Sequence, residues 1–456
     1  EARRVAGADY GIRELKAAEF DTALTEIYAY GGLDDDSGAA SDEDSEDLSR
    51  IIDEIPRNED LLDAASDAPI IRLINGLIEA IRTQASDVHV EPYEDRVSVR
   101  YRIDGVLSEK ITLAPRLAPL LISRIKVMSR LDIAEKRVPQ DGRLTLSLGG
   151  KGVDVRVSTL PSRFGERVVL RLLDNDKARL TLEQLGMPAV ALADFRKALS
   201  QPNGIVLVTG PTGAGKTTTL YAGLNLLNQA TRNILTVEDP VEYALAGVGQ
   251  TQVNAKVGMT FAAGLRAILR QDPDIVMVGE IRDVETAEIA VQASLTGHLV
   301  LSTVHTNSAI AAITRLRDMG VESFLLGSTI SAIVAQRLVR RLCTQCREPH
   351  DATPEELALL GLPGDATATL YQPRGCPACK SLGYTGRVGL YEVVTIDSEI
   401  RALIHRDASE AEMSQHAFAG RQTLFQHGRD LVQGGVTSLA EVLRVSREEG
   451  QSHAGV

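Results

Sequence analysis

Apolar positions along the chain change their spacing several times, and each change predicts a different kind of element. Between Tyr10 and Tyr30 they recur at a loose helical interval (Ile12, Leu15, Ala18, Phe20, Ala23, Leu24, Ile27, Tyr28), and residues 70–81 repeat that interval as an amphipathic helix. Strict alternation from Val97 to Ile103, ahead of Asp104-Gly105, predicts a strand; a further helix is expected from about Ala118 to Met128. Leu144 to Leu148 and Val153 to Val157 flank Gly149-Gly150 as a hairpin, with Val168 to Leu173 as another strand. Residues 67–173 therefore predict a small α+β domain. From 180 to 341 short unbroken apolar runs (Ile205 to Thr209, Ile234 to Val237, Ile275 to Val278, Leu299 to Val304) alternate with helical stretches, the pattern of a parallel sheet in an α/β fold.

Length changes this picture little: 456 residues suffice for two or three domains, each with its own core. With 44% hydrophobic and 24% charged residues, the composition is that of a soluble globular protein. No stretch approaches the roughly 18 consecutive apolar residues of a membrane span, and Glu1-Ala2-Arg3-Arg4 lacks the apolar core of a signal peptide. A cytoplasmic location is the expectation, and the missing initiator Met suggests that the natural chain begins earlier. The net charge of −13 argues against a general grip on nucleic acid, whose affinity rests on Lys and Arg. Much of that charge lies between Asp34 and Asp47, where eight acids sit among Ser, Gly and Ala, so residues 34–66 are expected to be a flexible linker.

The chemistry begins where the first of the buried runs ends. Gly210-Pro211-Thr212-Gly213-Ala214-Gly215-Lys216-Thr217 is a complete G-x-x-x-x-G-K-[ST] phosphate-binding loop, and Thr218 opens the helical stretch behind it. Glycines let amides turn inward around phosphates, Lys216 reaches the β- and γ-phosphates of ATP, and the Thr217 hydroxyl suits Mg²⁺. The other strand ends carry Glu238-Asp239, Gly279-Glu280 and His305, and in an open α/β sheet such ends converge on the ligand. Glu280 is the natural Walker B acid, a Mg²⁺ partner or water-orienting group; Glu238 offers a second carboxylate. Either glutamate suits water activation, with a helix-capping role as the bland alternative. His305 suits sensing of the γ-phosphate or satisfaction of a local backbone group. Positive charge is needed against the transferring phosphoryl group: Arg266 and Arg270 share one helix face, and Arg143, Arg156, Arg167 and Arg171 lie among the strands of the first domain, where an ordinary solvated face is the competing reading. Cys343, Cys346, Cys376 and Cys379 form two C-x₂-C pairs that suit structural Zn²⁺ better than disulfides or an iron–sulfur cluster.

These residues together resemble the secretion-superfamily traffic ATPases, and among them the ATPases of bacterial type II secretion. Besides the phosphate loop, Thr236 to Tyr243 is similar to that family's Asp box, Leu269 to Asp283 to its Walker B region, and Thr296 to Asn307 to its His box. The resemblance implies a RecA-like P-loop ATPase core at 180–341, joined by a linker at 174–179 to the α+β domain at 67–173. It further implies a tetracysteine zinc lobe at 342–386 and a helical region at 387–456. Residues 1–33 would be the remnant of an N-terminal helical domain that binds a cytoplasmic domain of an inner-membrane platform protein. The protein would be a homo-hexamer at the cytoplasmic face of the inner membrane, driving pseudopilus assembly, with Arg156, Arg171, Arg266 and Arg270 reaching the nucleotide. Pilus-extension ATPases share the tetracysteine lobe but continue His-Thr-Asn with Asp, where this chain has Ser308; they remain the nearest alternative, and a nucleic-acid translocase a more distant one.

Overall fold

The computed structural model describes residues 74, 76, 85–148, 151–173, 180–364 and 366–446. The expected N-terminal helices, the acidic linker, most of the helix at 70–81, the Gly149-Gly150 turn and the linker at 174–179 lie outside the described residues. The chain divides into two compact units, one up to Leu173 and one from Asp174 onward.

In the first unit, β1 (Ala85–Pro92), β2 (Val97–Ile103), β3 (Val106–Leu113), β4 (Gln140–Leu148), β5 (Lys151–Ser162) and β6 (Gly165–Leu173) form one antiparallel sheet in the order β3-β2-β1-β6-β5-β4. Helix α1 (Ala118–Met128) covers one face, burying Leu121, Ile122 and Ile125 against Val88, Val90, Val99, Val157, Val168 and Leu170. Side chains alternate across a strand, so the residues between these valines, such as Asp87, His89 and Glu91, share the opposite face. The hairpin strands run longer than their apolar cores predict, and the apolar pattern does not reveal β1 or β3. In β1, Asp87 and Glu91 are buried by arginine partners, which hides the strand in a polar-looking sequence. The unit also buries an ion pair, Lys126 Nζ to Glu166 Oε1 at 2.7 Å, and the same ammonium donates to the Glu135 carbonyl at 2.6 Å.

In the second unit, β7 (Gly204–Thr209), β8 (Ile234–Glu238), β9 (Gly249–Gln252), β10 (Ile275–Val278), β11 (Leu299–Val304), β12 (Ile330–Leu342) and β15 (Tyr384–Thr395) form one sheet in the order β15-β12-β7-β11-β10-β8-β9. Every neighbouring pair is parallel except β12 and β15. Helices α2 (Ala189–Leu199) and α3 (Lys216–Leu227) pack on one face through Phe195, Leu220 and Leu224. The other face takes α4 (Phe261–Ile268), α5 (Val284–Leu295), α6 (Ala309–Asp318), α7 (Ser323–Thr329), and the C-terminal helices α9 (Ser398–His405), α10 (Glu410–Ala417) and α11 (Leu424–Gln433). A last helix, α12 (Leu439–Ser446), packs on α11 and β12.

The sequence boundaries at 342 and 386 cut through two strands. β12 runs to Leu342 and β15 begins at Tyr384, so both pass from the core sheet directly into the tetracysteine lobe, and the region after 387 is not helical until Ser398. Gly389 to Val394 is short and, apart from Glu392, apolar, a stretch that periodicity alone cannot separate from a buried helix; antiparallel pairing with β12 from Ala332 to Leu342 decides for strand. Within the lobe, β13 (Glu348–Asp351) and β14 (Thr369–Gln372) pair as a small ribbon beside α8 (Pro354–Leu359).

Candidate active site

All six residues of β7 are buried, and the strand gives way at Gly210 to the phosphate loop. Gly210 has φ +145°, and a Cβ built on it would stand 2.5 Å from the Gln336 carbonyl oxygen, so only glycine fits between β7 and β12. The loop ends with Gly215 at φ +86° as the N-cap of α3, and no side chain caps that helix among the described residues. Its first amides are therefore left for an anion, as the helix dipole favours. Lys216 folds back across the loop, its ammonium donating to the carbonyls of Gly210 (2.8 Å) and Pro211 (3.1 Å). Burial lowers its pKa to about 8, with the Glu280 carboxylate opposing and the Arg337 guanidinium assisting the shift. At neutral pH it remains a cation. Thr217 and Thr218, in the first turn of α3, are half-buried.

The neighbouring strand ends bring up the acids. Glu280 follows β10 and Gly279; Arg282 pairs with its Oε1, and His305 Nε2 lies 3.6 Å from its Oε2. With its side chain 13% exposed, the Glu280 carboxylate stays open to a ligand or water. Burial lowers the pKa of His305, and the charge of Lys216 reinforces the shift, so its ring is neutral at pH 7. Glu238 is placed differently. It points to the α3 side of β8, is 2% exposed, and accepts from Tyr221 Oη, Thr236 Oγ1 (2.5 Å) and Gln250 Nε2 (3.1 Å). Here it ties β8 to α3 and β9, which is neither a helix cap nor an open base. Burial and this carboxylate together push the Tyr221 phenol above its ordinary pKa.

Two residues of this neighbourhood escape the motif reading. Gln336 and Arg337 are consecutive on β12, 1% and 3% exposed. Gln336 Nε2 donates to the Ala214 carbonyl at 2.6 Å; Arg337 Nη2 donates to the Asn307 carbonyl at 2.7 Å. The signal that could have found them is a polar, charged pair inside the apolar run from Ile330 to Val339, which a buried strand tolerates only when the pair is hydrogen-bonded.

Within the second unit, no hydrogen bond or ion pair described joins Arg266 or Arg270 to Lys216. Arg266 lies exposed on α4 and Arg270 exposed in the turn just after it, Arg266 pairing with Glu285 at 2.7 Å and Arg270 donating to the Arg266 carbonyl. Arg156 and Arg171 belong to the first unit, where Arg143, Arg156 and Arg171 stand directly opposite one another across β4, β5 and β6. The row continues through Asp87 to Arg102; Arg171 Nε meets Asp87 Oδ1 at 2.8 Å. Burial alone would raise the Asp87 pKa, but Arg171 overrides it and holds the carboxyl below its ordinary value. One acid among four arginines gives the row a net positive charge, and like charges directly opposite on a sheet repel.

The four cysteines converge. Their Sγ atoms all lie within 4.8 Å of one another, with Cys343–Cys376 at 3.9 Å and both Cys346–Cys379 and Cys376–Cys379 at 3.7 Å. A disulfide needs about 2.05 Å, whereas a tetrahedron of sulfurs around zinc, at about 2.3 Å from each, has edges of roughly 3.8 Å. Three of the six separations match those edges, so the donor set suits Zn²⁺. Amides of Cys376 and Gly383 donate to Cys379 Sγ (3.2 and 3.1 Å); burial acts against them, yet its pKa falls to about 7.

Comparison with known proteins shows the family and the fold. Residues 63–444 match the family described as Type II/IV secretion system protein. The type II secretion system protein E of Pseudomonas aeruginosa is 58% identical over 455 residues, spanning 98% of this chain and 90% of that protein. The type II secretion system ATPase E of Vibrio cholerae is 54% identical over 454 residues, with the same coverage of 98% and 90%. Among solved structures, the Legionella pneumophila ATPase DotB aligns with a TM-score of 0.61 at 20% identity over 86% of this chain and 98% of its own, a likeness of fold. The pilus retraction motor PilT with bound ADP aligns at 0.57 with 26% identity, over 82% and 97%.

Proposed function

The chain belongs to the Type II/IV secretion system protein family, and on that premise we propose how it performs its work as the ATP-hydrolysing motor of type II secretion. The observation that carries the reading is the convergence of Lys216, Glu280 and His305 beside an uncapped helix N-terminus at the end of β7. ATP phosphates are held by the amides of Gly210 to Thr217 and by Lys216, which exchanges its two loop carbonyls for phosphate oxygens. Thr217 and Glu280 are the groups that would hold Mg²⁺, which supplies charge neutralisation between the β- and γ-phosphates. Glu280, braced by Arg282 and His305, orients the water that attacks the γ-phosphorus. The bond to the β-phosphate oxygen breaks, ADP leaves, and the water's proton passes to the released phosphate. His305, neutral and 3.6 Å from Glu280, reports whether the γ-phosphate is present. The burial of Glu238 supports an anchoring role and favours Glu280 as the group that prepares the water.

The remaining parts of the cycle follow the family. The chain works as a homo-hexamer; Arg156 and Arg171, supported by the net positive charge of their row, and Arg266 and Arg270, supported by their exposure, meet the phosphates during the cycle. The cysteines hold one Zn²⁺ that fixes the ends of β12 and β15. A cytoplasmic domain of an inner-membrane platform protein recruits the motor, through the N-terminal helical region that includes residues 1–33, to the cytoplasmic face of that membrane. No helix among the described residues is long and apolar enough to cross a membrane, which fits peripheral recruitment. The secretion names of the relatives favour export over pilus extension. Specific ATPase activity measured across a dilution series, with and without the platform's cytoplasmic domain, tests the ring. Activity per chain should fall on dilution and recover on adding the platform domain; constant activity through dissociation to monomers would overturn it.

A further inference from the structure

Three adjacent strands send buried polar side chains to a single loop. In register across the sheet, Thr209 of β7 stands opposite Ala335 of β12, which stands opposite Glu392 of β15; Arg337, two residues beyond Ala335, shares their face. Thr209, Arg337 and Glu392 are 0%, 3% and 4% exposed. Each grips the loop from His305 to Ala309 that joins β11 to α6. Thr209 Oγ1 accepts the Thr306 amide at 2.9 Å; Arg337 Nη2 donates to the Asn307 carbonyl at 2.7 Å and to Asn307 Oδ1 at 3.3 Å; Glu392 Oε1 accepts the Ala309 amide at 2.7 Å.

Two of the three clamps have a second hand. Glu392 Oε2 accepts the amide of Leu424, the first residue of α11, at 3.2 Å. One carboxylate therefore closes the N-termini of α6 and α11 together. Arg337 Nη1 donates to the Gln336 carbonyl at 3.0 Å, the atom against which Gly210 packs. Gln336 itself, pointing to the opposite face of β12, holds the phosphate loop through Ala214. Alternation along one strand thus assigns consecutive residues to the two loops that flank β7. Apolar substitutes would fill this space at lower desolvation cost, so the two buried polar side chains point to a requirement for fixed geometry.

We propose that Arg337 and Glu392 are positioning residues that hold the His305 loop in register with the phosphate loop on one side and with the C-terminal helix α11 on the other. Occupancy at the nucleotide is thereby communicated to α11 without either residue touching it. This rests on the reading of His305 as the reporter of the γ-phosphate. The shared carboxylate also predicts that disturbing it loosens two segments far apart in sequence at once.

The test uses the full chain and the variants Glu392→Gln, Arg337→Gln, Arg337→Lys and His305→Ala. Amide hydrogen exchange of the nucleotide-free chain should quicken at both 306–312 and 424–427 in Glu392→Gln, but only at 306–312 in Arg337→Gln, with Arg337→Lys intermediate. Steady-state kinetics should show kcat down by about tenfold or more, while the Kd for a fluorescent ADP analogue moves less than about threefold. Unchanged exchange at either segment in Glu392→Gln, or equal losses in kcat and ADP affinity with general deprotection of β7 and β12, would overturn the proposal. Should Glu392→Gln fail to fold, Asn307→Ala, at an exposed position, carries the same expectation at 306–312. His305→Ala separates the two readings: wild-type kcat there rejects the reporter role alone, while the exchange pattern of Glu392→Gln still decides the clamp.

Discussion

Replacing Gly210 and Gly213 one at a time by alanine asks whether β12 really supports the phosphate loop. At Gly210 the backbone sits at φ +145°, which costs an L-residue about 1–3 kcal/mol. The added methyl would also lie 2.5 Å from the Gln336 carbonyl and 3.0 Å from Ala214 Cβ. A carbonyl within a buried strand cannot rotate aside, so overpacking adds about 1–3 kcal/mol. Gly213 has φ +80°, and a methyl added there would meet nothing within 4 Å, leaving only the left-handed penalty of about 1–2 kcal/mol. In the absence of nucleotide, the second unit should lose about 2–6 kcal/mol in Gly210→Ala and about 1–2 in Gly213→Ala. At about 2–4 °C per kcal/mol for a unit of this size, the midpoint should drop about two to three times as far for the first variant, taking the middle of each range. Thermal unfolding of the nucleotide-free chain, followed by ADP titration, measures both; Gly210→Ala should also weaken ADP by tenfold or more, about 1.4 kcal/mol. Equal midpoints for the two variants, or a larger drop for Gly213→Ala, would refute the packing argument.

Elemental analysis should find about one zinc per chain, and a strong chelator should lower the unfolding midpoint of the second unit; a stable, metal-free protein rejects the zinc reading of Cys343, Cys346, Cys376 and Cys379. His427 is buried and accepts the Tyr391 amide at Nδ1 (3.0 Å), and burial lowers its pKa. The folded chain therefore resists a proton that the unfolded chain takes up, so this stability is complete above about pH 6.5 and is lost as pH falls from there through the folded value. His427→Asn should flatten the slope of unfolding free energy against pH between about 5 and 7, and an unaltered slope counts against it. In the first unit, Glu166→Ala should cost about 3–5 kcal/mol by stranding Lys126, whereas Lys126→Met with Glu166→Leu should be close to neutral. Similar losses in the single and double variants, measured by urea unfolding, would show that the pair is worth more than its desolvation.

The parts of the fold that were legible in the sequence are those where one physical signal acts alone. The strands Ile275–Val278 and Leu299–Val304 are short apolar runs between polar ends and are found where that pattern places them. The phosphate loop is visible because its glycines and Lys216 all fall between 210 and 216. β12 and β15 were lost because long-range pairing, rather than local period, makes them strands. Gln336, Arg337 and Glu392 were hidden for a related reason: each works through partners 30 to 122 residues away, a relation that no spacing rule reads. Glu238 shows the opposite difficulty. A glutamate at a strand end beside the nucleotide loop looks available, and only the contacts of Tyr221, Thr236 and Gln250 reveal that its carboxylate is committed.

The central claim is that Glu280 prepares the water at a site built on the phosphate loop. Phosphate release by the full chain with Mg²⁺ and ATP, compared with that of Glu280→Gln under saturating nucleotide, tests it most directly. The account predicts magnesium-dependent turnover in the unaltered chain, and in the variant the loss of turnover with a fluorescent ATP analogue still bound. A Glu280→Gln protein that hydrolyses ATP at the unaltered rate would contradict it.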